Sequence, residues 1–205
     1  MGIKSVTEIL NIINKPALVY WANKIGLQGI KLSEYKKDGT SIGTLAHAII
    51  ENWIKKRKTN FNFYTKKQIK QACQCSKMFF NWVKKQDEFI PVASELQLIS
   101  QKYDYTGIID LIAIINGKLT LIDFKTCNIY DEAKYQVVAY YNLINEYQNF
   151  KELKLPRDFF EVEKAVIIKI SKNNDFEIIE VKNLNKYFNV FKCALELTKS
   201  IENID

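Results

Sequence analysis

The first half of the chain has apolar residues at helical spacing. Between residues 65 and 85 they recur in the i, i+3, i+4, i+7 pattern, and lysines occupy the opposite face. A similar apolar stripe from about Ser41 predicts another helix in the stretch SIGTLAHAIIENWIKKRK. Shorter helices are predicted over residues 5–13 and from Pro16 to Gly26, where glycine ends the run. The polar residues that follow predict a loop through Gly39.

β-Branched and aromatic residues dominate the second half, where strands alternate with helical segments. The predicted strands are Glu95–Ser100, Tyr105–Ile115, Lys118–Phe124, Val162–Ser171 and Phe176–Val181. One helix is predicted to begin near Asp131 and another at about Asn185. This order predicts an α/β fold, a central mixed β-sheet flanked by helices with an N-terminal helical elaboration. We expect a single domain over residues 1–205, mainly helical over 1–90, with the sheet core and C-terminal helix over 91–205.

Two of these strands form a predicted hairpin that carries charged residues within apolar strands. The Asn-Gly pair at 116–117 is typical of a two-residue type I′ turn. The resulting register places Asp110 directly opposite Asp123, and Lys125 points to the same side of the sheet. Both faces of the hairpin are otherwise mainly apolar, as expected of a central sheet covered on two sides.

The two opposed carboxylates require a positive partner. Directly opposed side chains have Cβ atoms about 4.5–5.5 Å apart, so two charged carboxylates would repel each other. Either one acid holds a proton or a cation lies between them. Mg²⁺ or Mn²⁺ meets this requirement with oxygen ligands, and Lys125 would then stabilise phosphate charge or position an attacking water. An Asp–Lys–Asp ion cluster with a purely structural role is the alternative.

Composition narrows the class of protein and of partner. Hydrophobic residues make up 47% of the chain, enough for a core, and the net charge of +7 suits a polyanionic partner. No apolar run approaches the roughly 20 residues that span a bilayer, and the N-terminus lacks a secretion signal. We therefore expect a cytoplasmic protein (host cytoplasm if the source is viral) without a membrane partner. The four cysteines match no zinc spacing and are expected to be packed thiols.

Three motifs together resemble the RecB-like branch of the PD-(D/E)XK nuclease superfamily. Asp110 followed by Asp123-Phe124-Lys125 is similar to the superfamily signature D…(D/E)-x-K on adjacent strands. GTLAHAIIE, at residues 43–51, resembles the glycine–histidine helix of that branch, and QVVAY, at residues 136–140, resembles its Q-x-x-x-Y motif. The N-terminal KPALVYWANKIG also resembles the opening helix of phage and mitochondrial single-strand exonucleases. The resemblance implies a restriction-endonuclease-like core.

The resemblance also implies the role of each site residue. The implied metal ligands are His47, Asp110, Asp123 and the backbone carbonyl of Phe124. The implied catalytic residues are Lys125, Asp123, Asp110 and Glu95. The implied substrate contacts are Gln136, Tyr140, Thr126, Lys55 and Lys56. Each set has a simpler alternative, because a lone histidine beside an apolar stripe is often structural, a Gln–Tyr pair suits a packed helix, and lysines suit a solvated face.

The activity implied is that of a deoxyribonuclease that depends on one or two Mg²⁺ or Mn²⁺ ions and hydrolyses phosphodiester bonds. Its expected substrate is DNA, single-stranded or with free ends, cut as an exonuclease in recombination, repair or phage DNA metabolism. A recombination or replication protein is the kind of protein partner expected. The alternatives are a non-cleaving nucleic-acid-binding module and a structure- or sequence-specific endonuclease. No iron–sulfur cluster is expected, because Cys73 and Cys75 lie mid-chain and only Cys193 lies near the end.

Overall fold

The computed structural model describes residues 2–13, 16–146, 161–171 and 173–202. Its helices are α1 (Val6–Leu10), α2 (Pro16–Leu27), α3 (Leu32–Ile54), α4 (Lys66–Val83), α5 (Asp131–Glu146) and α6 (Leu184–Glu202). Its strands are β1 (Lys4–Ser5), β2 (Phe89–Ser100), β3 (Tyr105–Ile115), β4 (Lys118–Lys125), β5 (Lys164–Ile170) and β6 (Phe176–Glu180). Among these helices, none has both the length and the apolar character that crossing a membrane requires.

The described strands form one six-stranded mixed sheet in which β3 pairs with three other strands. β3 runs antiparallel to β2 on one edge and antiparallel to β4 on the other. β4 then pairs parallel with β5, and β5 pairs antiparallel with β6. The predicted fold class, a central mixed sheet flanked by helices with helices at the N-terminus, is confirmed.

β1 occupies part of the β4 edge of β3. Tyr105 and Thr106 pair with β1 and with β2 at once. Since a strand has two edges, β1 lies on the edge that β4 occupies farther along, from Leu111 to Ile115. Between these stretches, within the described residues, residues 107–110 of β3 have no paired strand on that edge. β1 and β4 therefore diverge around a gap in the sheet.

Helices cover both faces of the sheet around two hydrophobic clusters. On one face, α1, α5 and α6 pack against residues that include Ile112 and Leu121. On the other face, α3 and α4 pack against residues that include Leu111 and Ile122. We call these the α5 face and the α3 face. Consecutive residues of β3 and β4 thus enter opposite clusters, as predicted for a sheet buried on both sides.

The helix α3 is longer than predicted. It begins at Leu32 and continues through Gly39, so the predicted loop is wrong over its second half. A glycine inside a helix costs only about 1 kcal/mol, and the half-buried Leu32 and Tyr35 extend the apolar stripe toward the N-terminus. α1 is shorter than predicted, ending at Leu10, and α4 lies within the predicted range.

The strand β2 also begins earlier than predicted, at Phe89 rather than Glu95. Pro91 disfavours a strand at this point, because proline cannot donate to a β-ladder. In the structure, the pairing register of β2 shifts between Pro91 and Ala93. β2 has β3 as its strand neighbour within the described sheet, so proline lies at a bulge on an edge strand, where it is tolerated.

Gly107 of β3 permits a close approach by α5. A Cβ atom at this position would lie 2.6 Å from Cε1 of Tyr140 and 2.9 Å from Cδ1 of Leu143. Real carbon atoms do not approach so closely, so a side chain at residue 107 would displace the Tyr140 ring or the helix. The position of Tyr140 over the gap in the sheet therefore depends on a glycine.

We predict that Gly107→Ala lowers the free energy of unfolding by about 1–3 kcal/mol, the usual cost of overpacking a core. Urea denaturation monitored by circular dichroism measures this difference. Gly39→Ala is the matched control, because a Cβ there meets no atom within 4 Å and the helix interior favours alanine by roughly 0.5–1 kcal/mol. A Gly107→Ala protein as stable as the wild type would contradict the close approach.

Candidate active site

The β3–β4 hairpin turns at Asn116 and Gly117, whose φ angles are 48° and 84°. Two positive φ angles are what a type I′ turn requires. Glu88 braces the turn, because its N–H donates to Asn116 Oδ1 at 3.0 Å and its Oε2 accepts from the Gly117 N–H at 2.8 Å. The five residue pairs from Leu111–Ile122 to Ile115–Lys118 have the predicted register.

The pairing of β3 with β4 ends at Leu111–Ile122, so Asp110 and Asp123 are not the ladder pair that the sequence predicted. Beyond Leu111–Ile122, Oδ2 of Asp110 accepts a hydrogen bond from the N–H of Phe124 at 2.8 Å. The side chain thus satisfies a strand donor at the point where the two strands diverge. Asp110 lies at the edge of the gap between β1 and β4.

Asp123 and Lys125 belong to a chain of polar contacts on the α5 face. Leu121 enters the α5-face cluster and Ile122 the opposite one, so strand alternation places Asp123 and Lys125 toward α5. Nζ of Lys125 lies 2.6 Å from Oδ2 of Asp123 and donates to Oε1 of Gln136 at 2.9 Å.

The same chain continues into α5, which supplies Gln136 and Tyr140. Nε2 of Gln136 donates to the Tyr140 hydroxyl at 2.8 Å. Their i, i+4 spacing puts both side chains on one side of the helix, facing the end of β4. Tyr140 is buried, and burial strongly raises its pKa, so it is a neutral phenol. The helix motif and the strand motif therefore form one continuous polar network.

A second group of polar side chains gathers around Asp110. His47 of α3, Glu95 of β2 and Asp110 each offer one ligand atom, and these atoms lie within 4.8 Å of one another. Nδ1 of His47 is 3.6 Å from Oδ1 of Asp110, and its ring meets the edge of the Phe124 ring at a centroid distance of 5.8 Å. The three side chains come from three elements, which only the tertiary fold brings together.

Glu95 has an unusual backbone conformation. Its φ angle is 52°, in the left-handed region that non-glycine residues rarely adopt. It lies between the pairs Ser94–Leu111 and Leu96–Ile109, across from Asp110. Such strain costs on the order of 1–3 kcal/mol and persists only where the surroundings enforce it. At Glu95, across from Asp110, the side chains of β2 therefore stop alternating between the two faces of the sheet.

An open cavity of about 580 Å³ lies beside this group. His47, Glu51, Glu95, Asp110 and Tyr140 contribute to its wall, together with residues of β1, α1 and β3. A cavity of this size is within the range of small-ligand sites. We call it the acidic cavity, because three carboxylates line it.

A sequence model of the PD-(D/E)XK nuclease superfamily matches residues 20–198, which contain all three motifs and both polar groups. The chain belongs to the PD-(D/E)XK nuclease superfamily. The recognition made from the motifs is therefore confirmed at the level of the superfamily. Members of this superfamily cut nucleic acids and use divalent metal ions, so the acidic cavity is the candidate active site of a nuclease.

Two solved structures are similar to this superfamily member. One is a candidate exonuclease from Eubacterium rectale, with a TM-score of 0.51 and 11% sequence identity over 81% of this chain and 68% of that one. The other is the crystal structure of SSO0001, with a TM-score of 0.36 and 16% identity over 78% and 74% of the two chains. The first shows that the fold is shared. No curated protein matches the sequence.

Burial and close pairing act in opposite directions on the pKa values of the nuclease site. Burial raises the pKa of Asp123 to about 6, although the ammonium of Lys125 opposes the shift. Burial would also raise the pKa of Asp110, but the neighbouring His47 outweighs it and the pKa is lowered. Burial, then the charge of Asp110, raises the pKa of Glu95. The negative charges of this site are thus close enough to repel one another.

The donor set of the acidic cavity fits a divalent cation. One imidazole nitrogen and two carboxylate oxygens suit Mn²⁺, and carboxylates with water suit Mg²⁺. This set differs from the ligands implied by the motifs, because it includes Glu95, which was expected to be catalytic. Asp123 is held by Lys125 through Oδ2, and Phe124 contributes its N–H to Asp110. Ligation by Asp123 and by the Phe124 carbonyl stays a prediction.

Thr126, predicted to contact substrate, lies where α3 meets the end of β4, and its contact with substrate stays a prediction. A Cβ atom at Gly43 would lie 2.8 Å from Oγ1 of Thr126. The glycine of the G-T-L-A-H stretch therefore lets the helix approach the strand, one turn before His47.

The two lysines predicted to contact substrate differ in their surroundings. Lys55 forms an ion pair with Glu51 at 2.6 Å, and Glu51 lines the acidic cavity. Lys56 is exposed and has a left-handed backbone with φ of 53°, directly after α3. The structure places both at the end of the helix that carries His47, about 12 Å along its axis from that residue.

Sequence reasoning missed a second lysine beside the site. Lys169 of β5 is the ladder partner of Lys125, is buried, and pairs with Asp175. Parallel partners point to the same face, so the buried Lys169 lies beside the half-buried Lys125 on the α5 face. The signal was a charged residue inside the apolar run AVIIKI, at residues 165–170.

We predict that the protein binds Mn²⁺ and that Asp110→Asn and His47→Ala each weaken this binding at least about tenfold, or 1.4 kcal/mol. Each change removes one donor from a group of three. Electron paramagnetic resonance of free Mn²⁺ measures the dissociation constant. Glu34→Gln, which changes an exposed acid of α3 paired with Lys31, is the control. Equal affinity in all four proteins would show that the cation binds elsewhere.

Proposed function

We propose that the protein is a metal-dependent deoxyribonuclease that acts as an exonuclease on single strands or DNA ends. The observation that carries this proposal is the meeting of two polar groups at one gap in the sheet. One group, His47, Glu95 and Asp110, provides donors for a cation. The other runs from Asp123 through Lys125 to α5 and provides a fixed ammonium. Together they provide the cation and the positive charge that can stabilise the transition state of phosphodiester hydrolysis.

Lys125 is suited to hold a water molecule or a phosphate oxygen. A lysine ammonium has three N–H donors, and Asp123 and Gln136 account for two of them. The side chain is 21% exposed, so the third donor can reach a group in solvent. Burial opposes the charge of Lys125, but Asp123 outweighs it and raises the lysine pKa, so the ammonium is retained at neutral pH. Its role is to stabilise negative charge that develops on the phosphate.

His47, Glu95 and Asp110 are the residues that would hold the divalent cation. A cation there would polarise the phosphate and lower the pKa of a bound water. Asp110 fixes the geometry on the protein side, because one oxygen is anchored by the Phe124 N–H while the other faces His47. The carboxylate cannot rotate without leaving a buried strand donor unpaired.

The wall of the acidic cavity and the segment after α3 support DNA as the substrate. Ile108, 47% exposed, lies in the wall of the acidic cavity beside Asp110 and offers an apolar surface to a sugar or base. Beyond α3, the run Lys55–Lys58 is followed by Phe63, which is 89% exposed. Cations next to an exposed aromatic ring are how single strands are held without sequence preference.

Action at ends or single strands is the narrower part of the proposal. The likeness to a candidate exonuclease and the N-terminal resemblance to single-strand exonucleases support it. A role in recombination, repair or phage DNA metabolism, beside a recombination or replication protein, would suit such an enzyme. A product ladder from 5′- and 3′-labelled DNA separates the possibilities, since an exonuclease leaves circular single strands uncut.

We predict that Asp123→Ala and Lys125→Ala each reduce kcat on labelled single-stranded DNA by at least about a hundredfold. Removal of the metal with EDTA should stop cleavage by the wild type. Lys118→Ala changes an exposed lysine at the far end of the same strand and is expected to leave kcat unchanged. Thermal melting checks that the variants are folded. Undiminished cleavage by both active-site variants would refute the assignment.

We also predict that Lys56→Ala/Arg57→Ala weakens single-strand binding and flattens its salt dependence. Each lost phosphate contact removes roughly 0.7 from the slope of log affinity against log salt. Lys182→Ala/Lys186→Ala, at and before the start of α6, removes the same charge on the other side of the sheet. Fluorescence anisotropy of a labelled oligonucleotide in EDTA measures both. Identical slopes for the two double variants would mean that only net charge matters.

A further inference from the structure

A second cavity adjoins the acidic cavity and has no part in the function proposed so far. It encloses about 610 Å³ between α2, the first half of α3, the segment after β4 and the β5–β6 turn. The residues of its wall that carry the argument are Trp21, Tyr35, Lys36, Asn128, Tyr130 and Asn173. We call it the aromatic cavity.

The two cavities share a wall. Gly43 and Thr44 of α3 line both of them. Because a helix rises 1.5 Å per residue, Thr44 is about 4.5 Å along the axis from His47, and Thr40 of the aromatic cavity about 10 Å. A linear polymer that crosses α3 near Gly43 and Thr44 can therefore place neighbouring monomers in the two cavities.

The charge of the two cavities differs in sign. Glu51, Glu95 and Asp110 line the acidic cavity. Among the described residues that line the aromatic cavity, Lys36 is the one with a charge, and no carboxylate is present. The first cavity thus suits a cation with its phosphate, whereas the second suits a neutral planar group attached to an anionic backbone.

The aromatic cavity offers the chemistry that holds a nucleobase. Tyr130 lines the cavity and is 40% exposed. Trp21 packs edge-on against Tyr35 at a centroid distance of 5.6 Å, which fixes both rings on the opposite wall. The amides of Asn128 and Asn173 can both donate to and accept from base edges. Aromatic stacking with a nearby cation is sequence-tolerant, because every base has a planar face.

We propose that the aromatic cavity binds the base of the nucleotide next to the scissile phosphate, an inference that rests on the proposed nuclease function. The base stacks on Tyr130, and Lys36 contacts a phosphate of the same strand. A base inside a cavity between helices has left its partner strand. The substrate that reaches the carboxylates is therefore unpaired, and duplex DNA must fray before it is cut.

The test moves a single abasic site stepwise along a labelled single-stranded oligonucleotide. For the wild type, an abasic site at one position next to the cleaved bond should raise KM on the order of tenfold and leave kcat unchanged. Tyr130→Ala should raise KM for the intact strand by a similar factor, and the effect of the abasic site should then vanish. Tyr130→Phe keeps the ring and should behave as the wild type.

Neighbouring residues outside the wall provide matched controls. Lys36→Gln should raise KM, whereas Lys37→Gln, the next residue of α3, should not. Tyr20→Ala removes a ring that is 78% exposed on α2 and does not line the cavity, so KM should be unchanged. If Tyr130→Ala fails to fold, the abasic series on the wild type and the Lys36 and Lys37 pair carry the test.

The proposal is overturned if the abasic effect is equally large in the wild type and in Tyr130→Ala, or if single and double strands are cut with equal KM. If no metal supports cleavage, the nuclease function fails separately, and anisotropy with the same oligonucleotides in EDTA still tests the cavity. Weaker binding by Tyr130→Ala and Lys36→Gln than by their controls then supports it. Binding equal to the controls, or no binding of DNA at all, overturns it.

Discussion

One hydrogen bond makes the open site compatible with a buried sheet: the bond from the Phe124 N–H to Oδ2 of Asp110. Where β4 leaves β3, a strand donor loses its ladder partner, and an unpaired buried N–H costs about 1–3 kcal/mol. Asp110 satisfies that donor with a side chain, so the strands can separate. The same bond fixes the carboxylate that faces His47. The gap and the candidate metal site therefore share this contact.

The charges around the gap form two groups, one that contains a buried ion pair and one that includes a residue with a strained backbone. Asp123 is almost fully buried and paired with Lys125, as a buried charge must be. Glu95 and Asp110 face each other with His47 as their neighbour, and Glu95 is held in a strained backbone conformation. Strain and repulsion at one point oppose folding, so the surrounding core must compensate for them. A cation would relieve the repulsion, which is the physical basis for expecting one.

The parts of this architecture that depend on local rules could be predicted from the sequence. The register of the hairpin follows from the Asn-Gly turn, and β3 was expected within its observed bounds because both ends carry turn residues. The positive φ angle of Glu95 could not be predicted, since the tertiary fold imposes it at a position across from Asp110. The start of α3 was missed because the polar residues before Ser41 predicted a loop, which tertiary packing overrides. β1 is two residues long, too short for any periodicity, yet it defines one side of the gap.

The helix α3 lies between two cavities of different character, the acidic cavity and the aromatic cavity. Its Gly43 lies against Thr126 so closely that a side chain there would collide with the end of β4. The approach brings His47 to Asp110 on one side and leaves room beside Lys36 on the other. A nucleic-acid strand that crosses α3 at Gly43 would meet the acidic cavity and then the aromatic cavity. This difference between the two cavities would fix the direction in which a nucleic-acid strand binds. A phosphate with a cation suits only the acidic cavity, and a base suits the aromatic cavity.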